Sequence, residues 1–239
     1  MRILLFILAI TTLGFAIPEN RQPGENKPLV VKKCNDFELT GKGDNNEWLK
    51  TEWTDLIKLD SGGKVYATKF KVLYSSTGIY ALFQCDDEKI TTPYVNDFED
   101  LYKGDVVEVF FHPDPNLPLY FEYELNQLNK ELILLVPNIN GKAHGWLPWK
   151  YEKNRMTKKM VNVVKEKDAG NLIHSWSAEV FFPYELLSPL PNVPPVPGTV
   201  WKANFYRLDY DTKRQQKWAW NPVSRSFHEF QKFGSIRFE

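Results

Sequence analysis

The sequence predicts an all-β fold, a single antiparallel β-sandwich of about ten strands. Three observations carry that reading. Short runs alternating apolar and polar residues recur along the chain. Turn clusters rich in Gly, Pro, Asn and Asp separate them. No amphipathic helix of a domain's usual length interrupts the series. Aromatic residues make up 15% of the chain, with eight Trp. Most must be core, because large aromatics dominate core energetics, and a surplus on one face would be a signal for sugar or peptide binding.

The elements follow in chain order. Arg2, the apolar run 3–13 and the small residues Gly14 and Ala16 read as a secretory signal over residues 1–16, cleaved near Ala16. The run is too short to anchor in a bilayer, so the mature chain is expected to be secreted or periplasmic with no membrane span. Residues 17–28 hold three prolines and a glycine and read as an extended leader. The folded domain is then expected over residues 29–239. Losing Arg2 leaves 29 basic against 30 acidic side chains, which argues against a nucleic-acid partner.

Residues 29–34 form a first short strand. Residues 41–47, Gly-Lys-Gly-Asp-Asn-Asn-Glu, are a turn cluster whose oxygens suit a plain turn or, less typically, calcium. Residues 70–74 and 78–85 make a hairpin, with Phe70, Val72 and Tyr74 answered by Ile79, Ala81 and Phe83. Residues 131–136 and 160–165 are further strands, separated by a Gly/Pro/Trp-rich loop holding Trp146 and Trp149. Residues 174–182 alternate Trp176, Ala178 and Val180 against Ser175, Ser177 and Glu179. Residues 183–187 offer one helical turn opened by Pro183. After a proline-rich connection come strands at 199–210, 217–220 and 234–239. Cys34 and Cys85 both sit near strand ends, so a single disulfide and two buried thiols both stay open. No Cys/His cluster suggests structural zinc.

The stretch 101–126 organises the rest. In its first strand Val107, Val109 and Phe111 alternate with Val106, Glu108 and Phe110. In its second, Phe121, Tyr123 and Leu125 oppose Tyr120, Glu122, Glu124 and Asn126. If the strands pair, Glu108, Glu122 and Glu124 share one surface, and like charges on a sheet face need compensation. Water, a basic side chain from a third strand, a cation or a polar ligand would each serve. Arg207, on the strand Trp-Lys-Ala-Asn-Phe-Tyr-Arg-Leu-Asp, is the candidate for that basic side chain. Trp218 and Trp220 share one side of their short strand, so one is core or both line a cleft.

The order of these motifs resembles the family 9 carbohydrate-binding modules, within the wider DOMON-like, jelly-roll sandwich group. The resemblance runs through Gly41, Asp44 and Trp48, then GIYALFQCDD, LYKGDVVEVFF, YELN, HSWSAEVFFPYELL, GTVWKANFYRLD and WAWNPVSRSFHEFQKFGSIRF. It is closest to secreted bacterial members of the family rather than to its xylanase-attached modules. It implies a non-catalytic protein binding an oligo- or polysaccharide between two rings, at positions held here by Tyr102 and Phe227 in place of Trp. It places the family's site glutamate on Glu108 and its site arginine on Glu124, a charge reversal. With Glu122, Arg207 and Trp220 these are the candidate ligand-binding residues. No catalytic residue and no cofactor are expected. The family carries structural calcium, so calcium stays open, as do partner enzymes acting on glycans.

Two other functions compete. A glycan hydrolase would need two carboxylates flanking a glycosidic bond, and Glu108, Glu122 and Glu124 on adjacent strands specify no such pair. A haem-binding domain would need axial Met or His. Met156, Met160, His144 and His228 exist, with no spacing that recommends them.

Overall fold

The computed structural model describes residues 27–144, 151–212 and 214–239. The expected signal at 1–16, nearly all of the leader, and Trp146 and Trp149 lie outside the described residues.

The strands are β1 (Leu29–Lys33), β2 (Thr54–Asp55), β3 (Ile57–Lys58), β4 (Thr68–Tyr74), β5 (Gly78–Asp86), β6 (Val106–His112) and β7 (Leu119–Asn126). They continue as β8 (Glu131–Ile139), β9 (Lys142–Ala143), β10 (Lys158–Val164), β11 (Ser175–Pro183), β12 (Val200–Asp209), β13 (Gln216–Ala219) and β14 (Gly234–Phe238). The helical turn expected after Pro183 is α1 (Tyr184–Leu187). The longer strands fall where alternation placed them. The two-residue strands β2, β3 and β9 are too short to show a period, and only their partners define them.

One layer runs β10-β11-β5-β4, with β2 on β4; the other runs β14-β12-β6-β7-β8-β9, with β13 on β12 and β3 on β13. Strand β1 joins them, pairing in parallel with β14 through Leu29, Val30 and Val31 and with β4 through Lys32 and Lys33. The other pairings are antiparallel. The main core lies between the layers, where Phe70 of β4 stacks on Phe205 of β12 with ring centroids 4.0 Å apart. Gly234 is required by close approach. A Cβ there would lie 2.6 Å from the Trp220 ring and 2.1 Å from the Asn221 amide.

Register decides which face each side chain takes. In the second layer Val107, Val109, Phe111, Phe121, Tyr123, Leu125, Ala203 and Phe205 fill the core. The residues between them, Glu108, Phe110, Tyr120, Glu122, Glu124 and Tyr206, therefore face outward. Because Tyr206 pairs with Glu108 and Arg207 with Val107, Arg207 turns inward, away from the three glutamates. This corrects the expectation that Arg207 balances them. Its guanidinium is fully buried, 2.7 Å from Asp209 and 3.1 Å from Asp87. It also donates to the Thr68 hydroxyl and the Asp86 carbonyl. The Tyr66 and Trp218 rings lie 5.2 and 5.1 Å from it.

Of the two states left open for Cys34 and Cys85, the structure has the buried thiols. The Cys34 amide donates to Tyr74 at one end of β4, while Cys85 pairs with Thr68 at the other. Six residues of strand at about 3.3 Å each separate those ends by roughly 20 Å. A bridge needs Cα atoms within about 7 Å. Both thiols are free and buried, which pushes each up to about 12.

Two outcomes are expected. Mass spectrometry of the non-reduced protein will count two thiols, alkylated only after denaturation; a bridged species would contradict the placement. Arg207→Leu will strand Asp87 and Asp209 without their cation and cost about 3–5 kcal/mol in urea unfolding, whereas an unchanged midpoint would mean that the guanidinium is not in this nest.

Candidate ligand-binding site

The outward face of β6, β7 and β12 holds a hollow of about 350 Å³. Glu108 and Glu124 are direct cross-strand partners, and Glu122 is the next outward residue along β7. The three form its floor, each nine-tenths or more buried. Placing like charges side by side in a buried setting is unfavourable for the ionised forms. The carboxyls respond by holding protons. Burial pushes Glu122 up to about 8, and burial with the neighbouring carboxylates raises Glu108 and Glu124 well above the usual range.

Tyr102 forms one wall. It sits on a 3-10 turn, Leu101–Lys103, whose Leu101 is fully buried against Val106, Leu132 and Leu208. The Tyr210 hydroxyl donates to the Tyr102 carbonyl at 2.7 Å, and the Tyr102 ring is left 41% exposed. Phe227 forms another wall. Its ring stacks on Tyr206, centroids 4.0 Å apart and planes 13° from parallel, and the Tyr206 hydroxyl donates to the Phe227 carbonyl at 2.9 Å. The loop bearing Phe227 folds around the buried Glu229 carboxylate, which accepts from the amides of Ser226 and Arg225 and the Ser224 hydroxyl. Lys232 at 2.8 Å and those amides bring Glu229 down to about 2.

Among the lining residues that sequence reasoning did not assign to this hollow are its three basic or imidazole side chains, Lys217, Arg225 and His228. Lys217 was legible in principle. Gln216 and Trp218 alternate with it, so once Trp218 is core, Lys217 must face outward beside Glu108, whose proton affinity it partly lowers. His228 Nδ1 lies 2.6 Å from the Tyr120 hydroxyl and 3.7 Å from Glu122, and burial lowers its basicity. Arg225 and His228 come from an irregular loop that leaves no periodic trace.

Tyr102, Glu108, Glu122, Glu124 and Phe227 are thus brought together, while two expected members are not. Arg207 is in the core, and Trp220 packs there against the stacked pair Phe70 and Phe205, its centroid 5.9 and 5.8 Å from theirs. A second hollow of about 380 Å³ adjoins the first and shares Gln215, Lys217, Arg225, Ser226 and Phe227 with it. The three glutamates lie on one floor and do not flank a gap from two sides, as a glycosidase pair does. The haem candidates are dispersed. His228 is in the hollow, and Met160 lies on β10 of the other layer.

Calcium was also expected to be open. Among the described residues, oxygens of Asp87, Asp209 and Asp211 lie within 4.8 Å of one another. Their carboxylates are already taken up by donors from Arg207, Gln127, Trp176, Glu88, Thr91, Tyr66 and the Asp211 amide. Within this group the Arg207 guanidinium lies 2.7 Å from Asp209 and 3.1 Å from Asp87. In the 41–47 turn, Asp44 accepts from Thr40, Asn45 from the Glu47 amide, and Glu47 from Asn35 and Lys50.

Comparison with known proteins supplies a family. The model for carbohydrate-binding family 9 matches residues 45–238. A candidate carbohydrate-binding protein from Bacteroides uniformis superposes with a TM-score of 0.70 at 19% identity, covering 89% of this chain and 99% of its own. A carbohydrate binding module of family 9 from Caldicellulosiruptor kristjanssonii, in complex with glucose, gives 0.64 at 14% identity, covering 89% and 96%. The same module with cellotriose gives 0.64 at 15%, covering 89% and 94%. At these identities the likeness shows the fold. A comparison with curated proteins finds no match.

The carboxyl floor predicts a pH dependence of stability. The native state keeps protons that the unfolded chain releases near pH 4.3. The raised groups therefore stabilise fully below that value, and the contribution is lost as pH rises through their folded values, about 8 for Glu122. Urea unfolding should show stability falling between about pH 6 and pH 8 by about 1.4 kcal/mol per pH unit for each proton released. Asp87, held at about 7, and Asp105, at about 8, act in the same direction. Glu124→Gln should flatten part of the slope. Stability rising with pH over this interval would contradict the assignment.

Proposed function

The chain belongs to carbohydrate-binding family 9, and from that premise we propose a secreted protein that holds a glycan in the hollow between Tyr102 and Phe227. The family is one of non-catalytic binding modules, and this chain shares its fold with modules solved with glucose and cellotriose. Among the described residues no helix is long and apolar enough to cross a membrane.

One observation carries the reading. Two aromatic side chains from segments distant in sequence, Tyr102 and Phe227, wall a hollow whose floor is carboxyls. A sugar offers C–H faces that lie on rings and hydroxyl rims that need hydrogen-bond partners. Protonated carboxyls both donate to and accept from hydroxyls, so a neutral sugar is served without an unpaired charge. The volume falls within the range of small-ligand sites. The adjoining hollow past Phe227 gives room for more than one sugar unit, which favours an oligo- or polysaccharide. Export places the protein where glycan-degrading enzymes would be its partners.

A glycan array on the mature protein tests the reading, and its best ligand then tests the walls. Tyr102→Ala and Phe227→Ala should each weaken binding by about 1–3 kcal/mol. Tyr102→Ala should leave the melting temperature nearly unchanged, because the ring is largely exposed. Phe227→Ala should also lose its stacking on Tyr206, about 0.5–1.5 kcal/mol of stability. Unaltered affinity in both variants would move the site elsewhere.

A further inference from the structure

Glu122 and Glu124 share a hydrogen bond, and the Tyr102 backbone donates to Glu124, but among the described residues the floor of the hollow gives this pair no cation at salt-bridge distance other than the imidazole of His228. Glu122 and Glu124 are 4% and 1% exposed, and Glu122 Oε2 and Glu124 Oε2 each lack a hydrogen-bond partner. The nearest cationic candidate for Glu122, His228 Nδ1, stands 3.7 Å away and is already engaged with Tyr120. Lys217 acts on Glu108. Arg207, the one guanidinium on the strand beside β6, is committed to the core. Two buried carboxyls that line the hollow thus each keep one oxygen without a donor.

We propose that the hollow selects a cationic sugar, a glucosamine-type unit whose ammonium lies between Glu122 and Glu124 while Tyr102 and Phe227 hold its ring. This rests on the glycan-binding reading of the same site and adds the chemical class of the ligand. An ammonium brings three donors, matching oxygens that a hydroxyl, with one donor, supplies poorly. A charge-assisted bond in a desolvated site is also roughly twice as strong as a neutral one. Among the described residues these glutamates do not form a set whose oxygens all lie within 4.8 Å, as Asp87, Asp209 and Asp211 do. That spread suits a cation carried on a sugar better than a bare metal ion.

The protons balance. A carboxyl that holds its proton in the free protein gives it to solvent when the ammonium arrives, and the carboxylate and ammonium then pair. The other groups facing the floor are Lys217, Arg225, His228, Tyr102, Tyr120 and Tyr206. Burial keeps the four ring groups neutral near pH 7, since it lowers His228 and raises the phenols. Lys217 and Arg225 stand on the rim and oppose a cation there, so the preference is set by the depth of the Glu122 and Glu124 pair.

Calorimetric titration of the mature protein with a glucosamine oligomer and a glucose oligomer of equal length and linkage is the test. The amine oligomer should bind at least about tenfold tighter. Its advantage should grow as pH rises from about 5 to about 7, with proton release measured in buffers of different ionisation enthalpy. Glu124→Gln should bring the ratio of the two affinities close to one. Binding of the glucose oligomer with equal or greater affinity would overturn this inference and leave the glycan-binding reading standing. Failure of either oligomer and of every sugar on the array to bind would overturn both.

Discussion

The register between β6 and β12 is the constraint from which the rest follows. Tyr206 stands beside Glu108, and Arg207 beside Val107. With side chains alternating in period 2, that pairing puts the aromatic platform and the acids on the outside and the guanidinium on the inside. A slip of one residue would put Glu108 and Arg207 on the same face, either burying Glu108 in the aromatic core or drawing Arg207 out of it. Each misplacement is costly, because a buried charge needs a partner and a buried aromatic face needs neighbours. The alternation of β12, Ala203 and Phe205 inward against Asn204 and Tyr206, admits only the observed register.

Two polar assemblies result on opposite faces of one sheet; burial raises the acids of both, and they differ in their partners. On the core side, Arg207 gathers Asp87 and Asp209, and the two oxygens it touches also accept from tryptophan and glutamine donors or from the guanidinium itself. On the outer side, among the described residues no guanidinium lies at salt-bridge distance from Glu108, Glu122 or Glu124, and burial keeps protons on them. Acids held by several fixed donors are rigid, whereas acids with few donors are poised to take a ligand. The contrast separates the structural acids from the candidate binding acids. Around the outer group the protein spends stable local structure, with Glu229 tying the Phe227 loop and buried Leu101 tying the Tyr102 turn.

Much of this was legible. Alternation located the long strands, and Glu108, Glu122 and Glu124 declared their common face through strand parity alone. Tyr102 and Phe227 could be placed only through the family resemblance, since neither loop carries a period. Arg207 was misread because charge complementarity was weighed above parity. On its strand Phe205 and Arg207 share a face, so an inward Phe205 already implied an inward Arg207. Cys34 and Cys85 could not be decided from the sequence for a different reason. Proximity to strand ends says nothing about which end, and β1 lies parallel to β4 where a hairpin would have reversed it. Trp220 was undecidable without knowing that β13 adds to β12 and so inherits its faces.

The central claim is that the outer face of β6, β7 and β12 is where a glycan sits. Backbone amide chemical-shift mapping of the mature protein, titrated with its best array ligand, addresses that claim most directly. The account predicts that the shifts cluster at Tyr102, Glu108, Glu122, Glu124, Lys217 and Phe227, with the β10 and β11 edge of the other layer silent. Perturbations concentrated on that opposite layer, with the hollow unmoved, would contradict it.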